Sequence, residues 1–311
     1  MKQAFIFPGQ GSQKVGMTRD LYDKYDVVKS LLKEADETLG FSLSRLMFEG
    51  PDTELVKTEF TQPAVLTAGV AAARVLAENE IFPDVAAGHS LGEYTALVAA
   101  CAMDFSDAVH TVHLRGKFMQ EAVPLGRGGM AAVMGLSPED IVAVCETVSQ
   151  KFGAVQAVNF NCPGQTVIAG TSDAVAAACD ALKEAGAKRA IPLNVSAPFH
   201  SSLMEPAAAR LKEVLDKIEI RDAAIPVIAN VNAKEETKAA DIRANLVQQA
   251  AHAVHWEESV REMIAAGTET FIEVGPGTVL SGFMKKIDKT KTSLHAEDEE
   301  TIRQTIEALQ A

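Results

Sequence analysis

Short apolar runs alternate with long, alanine-rich stretches whose apolar residues recur at helical spacing. Residues 3–7, 85–88, 226–230 and 270–274 read as buried strands. The intervening segments read as helices, one of them opened by Thr61-Gln62-Pro63, with Thr61 as N-cap and the proline in the first turn. Strands alternating with helices in this way predict an α/β chain built on a mainly parallel sheet.

The rhythm changes after Leu125-Gly126-Arg127-Gly128-Gly129. A strand at 130–134 is followed by a helix capped at Ser137-Pro138 and a strand at 155–160. After the turn Asn161-Cys162-Pro163-Gly164 come a strand at 165–170, a helix begun at Thr171 or Ser172, and a strand at 190–195. The order β-α-β-β-α-β is the ferredoxin-like pattern. Because the larger pattern then resumes, residues 126–197 are expected to form an inserted subdomain, with 1–125 and 198–311 as one discontinuous domain.

Length and charge narrow the possibilities. At 311 residues the chain exceeds what one core usually organises, which suits a large domain carrying a small one. A net charge of −13 disfavours nucleic acid and anionic membrane as partners, because both need a positive field. The longest apolar runs, 64–73 and 94–103, are too short to span a bilayer, and no signal-like segment opens the chain, so a cytoplasmic protein is expected. Cys101, Cys145, Cys162 and Cys179 are too scattered for a disulfide framework or a thiolate metal site, and no cofactor or metal is expected.

Gly88-His89-Ser90-Leu91-Gly92 matches G-x-S-x-G between a predicted strand and a predicted helix. In that context the serine sits on a sharp elbow with its hydroxyl presented, and the Leu91 N–H points to where an oxyanion would form. A plain βα turn with a capping serine has the same pattern. A nucleophilic serine needs a base. Of the seven histidines, His110 and His113 fall on the polar side of a helix and His295 in a charged tail. His252 and His255 lack a third metal ligand, and His89 points away from its neighbour. His200 lies where the insert rejoins the main domain, and clefts between domains are where sites form. On the helical stretch 104–122, Arg115 shares the apolar stripe of Ala108, Val112 and Met119, while Lys117 and Gln120 face solvent. An inward arginine demands an anion, either an internal carboxylate or the carboxylate of a substrate.

These residues together resemble the malonyl-CoA:acyl carrier protein transacylases, the acyltransferase family of bacterial fatty acid synthesis. The likeness runs through Phe7-Pro8-Gly9-Gln10-Gly11-Ser12-Gln13, Thr61-Gln62-Pro63-Ala64, Gly88-His89-Ser90-Leu91-Gly92-Glu93 and Arg115-Gly116. It continues in Asn161-x-Pro163-Gly164-Gln165, Phe199-His200-Ser201, Gln249 and Glu273-Val274-Gly275-Pro276-Gly277. The resemblance implies an α/β-hydrolase-like domain with a ferredoxin-like insert. It also implies malonyl-CoA as donor and the phosphopantetheine thiol of an acidic acyl carrier protein as acceptor. Ser90 would be the nucleophile, His200 its base, and the amides of Gln10 and Leu91 the oxyanion hole. Arg115 would grip the malonyl carboxylate, the Gln249 carbonyl would orient the histidine, and Phe199 would set acyl specificity. Where the family reads Gln-Leu-x-x-Pro-Val-x-Trp, this chain has Ala250 and Ala253 in place of the leucine and proline.

An esterase or thioesterase would use the same elbow but has no need of Arg115. A dinucleotide-binding oxidoreductase based on Gly9-Gln10-Gly11 fails because position 14 is Lys14 rather than the third glycine. A silent carrier-binding module would not need Ser90, His200 and Arg115 together.

Overall fold

A computed structural model describes residues 2–195 and 197–310. Its strands in chain order are β1 Lys2–Phe7, β2 Val85–Gly88, β3 Gly128–Met134, β4 Val155–Cys162, β5 Gln165–Thr171, β6 Arg189–Pro192, β7 Val227–Ile228, β8 Glu235–Glu236, β9 Thr268–Val274 and β10 Thr292–Ala296. They form a six-stranded sheet, β10-β9-β1-β2-β7-β8, and a four-stranded one, β4-β5-β3-β6.

In the large sheet every neighbouring pair is parallel except β7 with β8. Along β1, Phe5 and Phe7 join the core on one face while Ala4 and Ile6 join that on the other. Burial on both faces explains why β1 reads as an unbroken apolar run rather than an alternating one. The small sheet is antiparallel throughout, in the order expected of a ferredoxin-like unit. Its two helices, Pro138–Phe152 and Ser172–Glu184, cover one face. Its other face, including Met130, Val158 and Val167, packs into the main core. The parallel sheet and the separate antiparallel sheet agree with the sequence-based reading.

Main-chain pairing ties the small sheet to the segment between the helices Ala239–Gln249 and Trp256–Ala265. The Phe160 N–H donates to the Val254 carbonyl at 2.9 Å, and the Val254 N–H donates to the Val158 carbonyl at 2.8 Å. At the other junction Gly128 lies so close to Pro198 that an added Cβ would sit 2.4 Å from the proline ring.

Several local expectations are corrected. The helix expected to open at Thr61 runs from Thr58 to Glu78, so Pro63 lies inside it. An interior proline frees the carbonyl four residues back, here that of Glu59. His113 fills the place of the missing donor, with Nδ1 2.8 Å from that oxygen, so it faces the neighbouring helix rather than solvent. The same helix is long and apolar enough to cross a membrane, contrary to the expectation that no stretch was. However, 78% of its apolar window is buried inside the protein, the signature of a core helix. His295 belongs to β10 rather than to a tail, with Nε2 3.3 Å from the Gly275 carbonyl.

His113→Leu should leave the half-buried Glu59 carbonyl without its side-chain donor and cost about 1 kcal/mol. Urea denaturation should show a lower midpoint at an unchanged slope, while turnover per folded molecule stays at the wild-type level.

Candidate active site

The loops following β1, β2 and β7 place Gln10, Ser90 and Asn230 side by side at the carboxyl ends of neighbouring parallel strands, where open α/β sheets build their sites. Ser90 occupies the left-handed region, at φ 55°, between β2 and the helix Gly92–Ala99. That turn is possible only because its flanks are glycine. A Cβ on Gly88 would lie 1.9 Å from the Gly92 backbone, and one on Gly92 would lie 2.2 Å from the Phe7 carbonyl oxygen. The strained conformation is held by hydrogen bonds at both ends of the residue. The Ser90 N–H donates to Asn230 Oδ1 at 2.8 Å, and the Ser90 carbonyl accepts from Gln249 Nε2 at 2.7 Å.

His200, at φ 61°, is buried with Nε2 2.7 Å from Ser90 Oγ. Its other nitrogen, Nδ1, is 2.8 Å from the Gln249 carbonyl oxygen. A carbonyl only accepts, so Nδ1 carries the proton in the neutral ring and Nε2 offers its lone pair to the serine hydroxyl. The Gln249 carbonyl is available because the helix Ala239–Gln249 ends there and its last carbonyls lack intrahelical donors. Ala250 and Ala253 leave this contact intact. Burial, helped by the nearby Arg115 charge, pushes the His200 pKa down to about 3.

Arg115 is 1% exposed, as its place on the apolar stripe implies. Nη1 donates to Gln62 Oε1 at 2.8 Å, and Nη2 donates to Gln249 Oε1 at 2.8 Å and to Ser90 Oγ at 3.2 Å. All three acceptors are uncharged oxygens. Among the described residues no carboxylate forms an ion pair with the guanidinium, although Glu93 is near enough to act on it electrostatically. Burial lowers its pKa, yet an arginine keeps its charge in proteins.

Around these groups lies a cavity of about 120 Å³ whose lining includes Ser90, His200, Arg115, Gln62, Gln10, Leu91, Met130 and Phe199. The N–H groups of Gln10 and Leu91 donate to no acceptor among the described residues. Every sequence-selected residue is therefore in one place, Gln249 just behind the wall. A larger cavity, of about 400 Å³, lies among Ile81, Phe82 and Phe105 at the amino ends of the strands, and it holds none of these groups.

Sequence reasoning missed Gln62, Glu93, Asn161 and Asn230 as parts of this network. Gln62 and Asn161 were motif residues without an assigned role, although Asn161 Oδ1 is 2.8 Å from His89 Nε2 and ties the small sheet to the elbow. Asn230 was readable as a polar residue ending a strand beside the elbow strand.

Because the His200 pKa is depressed, its base form persists well below the ordinary 6.5. The rate at which Ser90 is labelled by a neutral phosphonofluoridate should therefore show no inflection near 6.5. The unfolded chain takes up the proton first, so the stability contributed by the neutral ring is complete above pH 6.5 and declines toward pH 3. A labelling rate that halves near 6.5 would mean an exposed, ordinary base.

Comparison with known proteins agrees with this geometry. The acyl transferase domain family profile matches residues 4–303. The malonyl CoA-acyl carrier protein transacylase of Bacillus subtilis is 52% identical over 99% of this chain and 97% of its own length. The crystal structure of an acyl carrier protein S-malonyltransferase from Vibrio cholerae superposes with a TM-score of 0.95 at 47% identity, covering 98% of this chain and all of the other. A malonyl-transacylase solved in complex with its type II PKS acyl-carrier protein gives a TM-score of 0.96 at 46% identity, covering 99% of this chain and all of the other.

Proposed function

This chain belongs to the acyl transferase domain family, among the malonyl CoA-acyl carrier protein transacylases, and from that premise we propose how its own residues carry the reaction. It transfers malonyl from malonyl-CoA to the phosphopantetheine thiol of an acyl carrier protein through an ester on Ser90. The observation that carries this reading is the buried Arg115, whose Nη2 reaches the nucleophile and which has only neutral partners. An acyl group bearing its own carboxylate supplies the missing anion and is drawn to the serine by it. Hydrolysis of a simple ester has no use for that charge.

In the first half-reaction the Ser90 oxygen attacks the thioester carbonyl as its proton passes to His200 Nε2. The new imidazolium donates through Nδ1 to the Gln249 carbonyl, at the negative end of a helix dipole, where a cation is favoured. That carbonyl does the work an aspartate does in other serine triads. The developing oxyanion is received by the N–H groups of Gln10 and Leu91. The tetrahedral adduct collapses, the C–S bond breaks, and the CoA sulfur takes the proton from His200. In the second half-reaction His200 takes the proton of the carrier thiol as its sulfur attacks the ester; the bond to Ser90 then breaks, and the serine oxygen recovers the proton from His200. The cytoplasm supplies both carriers and is the compartment proposed for the chain.

Incubation with malonyl-CoA labelled in the malonyl group tests the reading directly. The label should appear on Ser90, vanish in Ser90→Ala, and form and discharge more slowly in His200→Ala. Label on another residue, or loss of only one half-reaction in His200→Ala, would refute these roles.

Specificity follows from charge and space. Arg115→Ala should weaken malonyl transfer by on the order of 3–5 kcal/mol, the cost of an unpaired buried charge, and affect acetyl transfer far less. Phe199→Ser, next to the base, should mainly admit methylmalonyl, a gain of about 1–3 kcal/mol for one methyl group. Comparing kcat/KM for the three CoA esters checks both.

The acidic carrier must find a positive patch on an acidic protein. Lys188, Arg189, Lys285 and Lys286 are exposed and suit that role, as does Lys289. Lys291 does not, because it pairs with Glu269 at 2.6 Å and is mostly covered. Neutralising Lys188, Arg189, Lys285 and Lys286 together should raise the KM for the carrier and flatten its salt dependence, leaving acylation by malonyl-CoA unchanged.

A further inference from the structure

Glu93, in the first turn after the elbow, is wholly buried and belongs to no step of the mechanism above. Its Oε2 accepts from the Asn230 N–H at 3.0 Å and from Gln249 Nε2 at 3.0 Å. Those two residues hold almost everything else in the site. Asn230 fixes the Ser90 N–H, and Gln249 holds the Ser90 carbonyl, Arg115 and, through its own carbonyl, His200. One carboxyl oxygen thus anchors both supports of the nucleophile.

The other oxygen, Glu93 Oε1, is buried with no hydrogen-bond partner. Glu236 on β8, also buried, repeats the pattern. Its Oε2 accepts from Asn245 Nδ2 at 2.7 Å, while its Oε1 has no partner. Glu236 acts electrostatically on Glu93, and Arg115 and Tyr94 are the other ionisable groups that Glu93 feels. Asp241 in turn acts on Glu236. Two ionised carboxylates, each with a buried oxygen that receives no hydrogen bond, would be costly, and a proton on Glu93 removes both its own buried charge and the repulsion from Glu236. Burial and like charge raise the pKa of both groups, in the same sense.

We propose that Glu93 is a positioning residue for the transfer reaction, a neutral carboxyl group whose Oε2 braces Gln249 and Asn230 without neutralising Arg115. The proposal rests on the reading of Arg115 as the acyl-carboxylate site. An ionised Glu93 would offer Arg115 an internal counter-charge and weaken its hold on substrate. A neutral carboxyl group gives the same hydrogen bonds and leaves the cation for the malonyl group.

The test compares Glu93→Gln with Glu93→Ala. Glutamine keeps one acceptor and one donor without charge, so its kcat/KM for malonyl-CoA at neutral pH should stay within about threefold of wild type, the scale of one neutral hydrogen bond. Alanine removes the brace and should slow acylation on the order of 100-fold by misplacing reacting groups. In the wild type, KM for malonyl-CoA should rise in alkaline solution as Glu93 loses its proton, and in Glu93→Gln that rise should disappear. An infrared band of a protonated carboxyl group, shifted in heavy water, should be present at neutral pH and weaker in Glu93→Gln.

Labelling of Ser90 by a neutral phosphonofluoridate separates this proposal from the functional reading, because it needs no malonyl group. The label rate should fall in Glu93→Ala and not in Glu93→Gln even if another acyl donor proves to be the substrate. A Glu93→Gln enzyme as damaged as Glu93→Ala, or an alkaline KM rise that persists in it, would overturn the neutral carboxyl group. Wild-type labelling rates in Glu93→Ala would overturn the positioning role.

Discussion

A guanidinium held in a dry interior by three neutral oxygens is the constraint around which this site is arranged. Arg115 cannot discard its charge, and no carboxylate among the described residues answers it. Isolating a cation in this way is costly, and the fold offsets the cost with side chains drawn from distant parts of the chain: Gln62 from one helix, Gln249 from the end of another and Ser90 from the elbow. Burial, and after it this same cation, lower the basicity of His200 and so keep its ring unprotonated in the resting site. Charge, nucleophile and base are therefore one coupled system rather than three independent residues.

The backbone pays a related strain. Ser90 and His200 both adopt left-handed conformations that non-glycine residues avoid, and they face each other across 2.7 Å. Neither conformation is held by its own sequence neighbours alone. Asn230 lies 140 residues from Ser90, and Gln249 lies 49 residues from His200. Strain of this kind survives only where long-range bonds over-determine it, which is why it coincides with the candidate site.

What was legible beforehand follows from how local each feature is. β1 and β2, the order of elements in the small sheet and the inward position of Arg115 all rest on short-range periodicity, and all agree with the structure. The start of the helix Thr58–Glu78 was misread because the carbonyl released by Pro63 finds its donor in His113, 54 residues away. β10 was overlooked because Leu294 and its neighbours are only partly buried at a sheet edge, where the apolar signal is weak. Glu93 stood in plain view beside the serine. Its importance depends on Asn230 and Gln249 converging on one oxygen, and no spacing along the chain encodes that.

The seam between the two sheets has a mechanical consequence. Val254 is laced into β4 through its own N–H and carbonyl, Gly128 is pressed against Pro198, and Asn161 reaches across to His89. Three fasteners at separate points tie the small sheet to the rest of the chain, so a swing of one against the other would have to break several of them at once. The aperture of the cleft is therefore coupled to the contacts that hold the fold together. Acyl groups are then sorted by the girth and charge they bring to that lining.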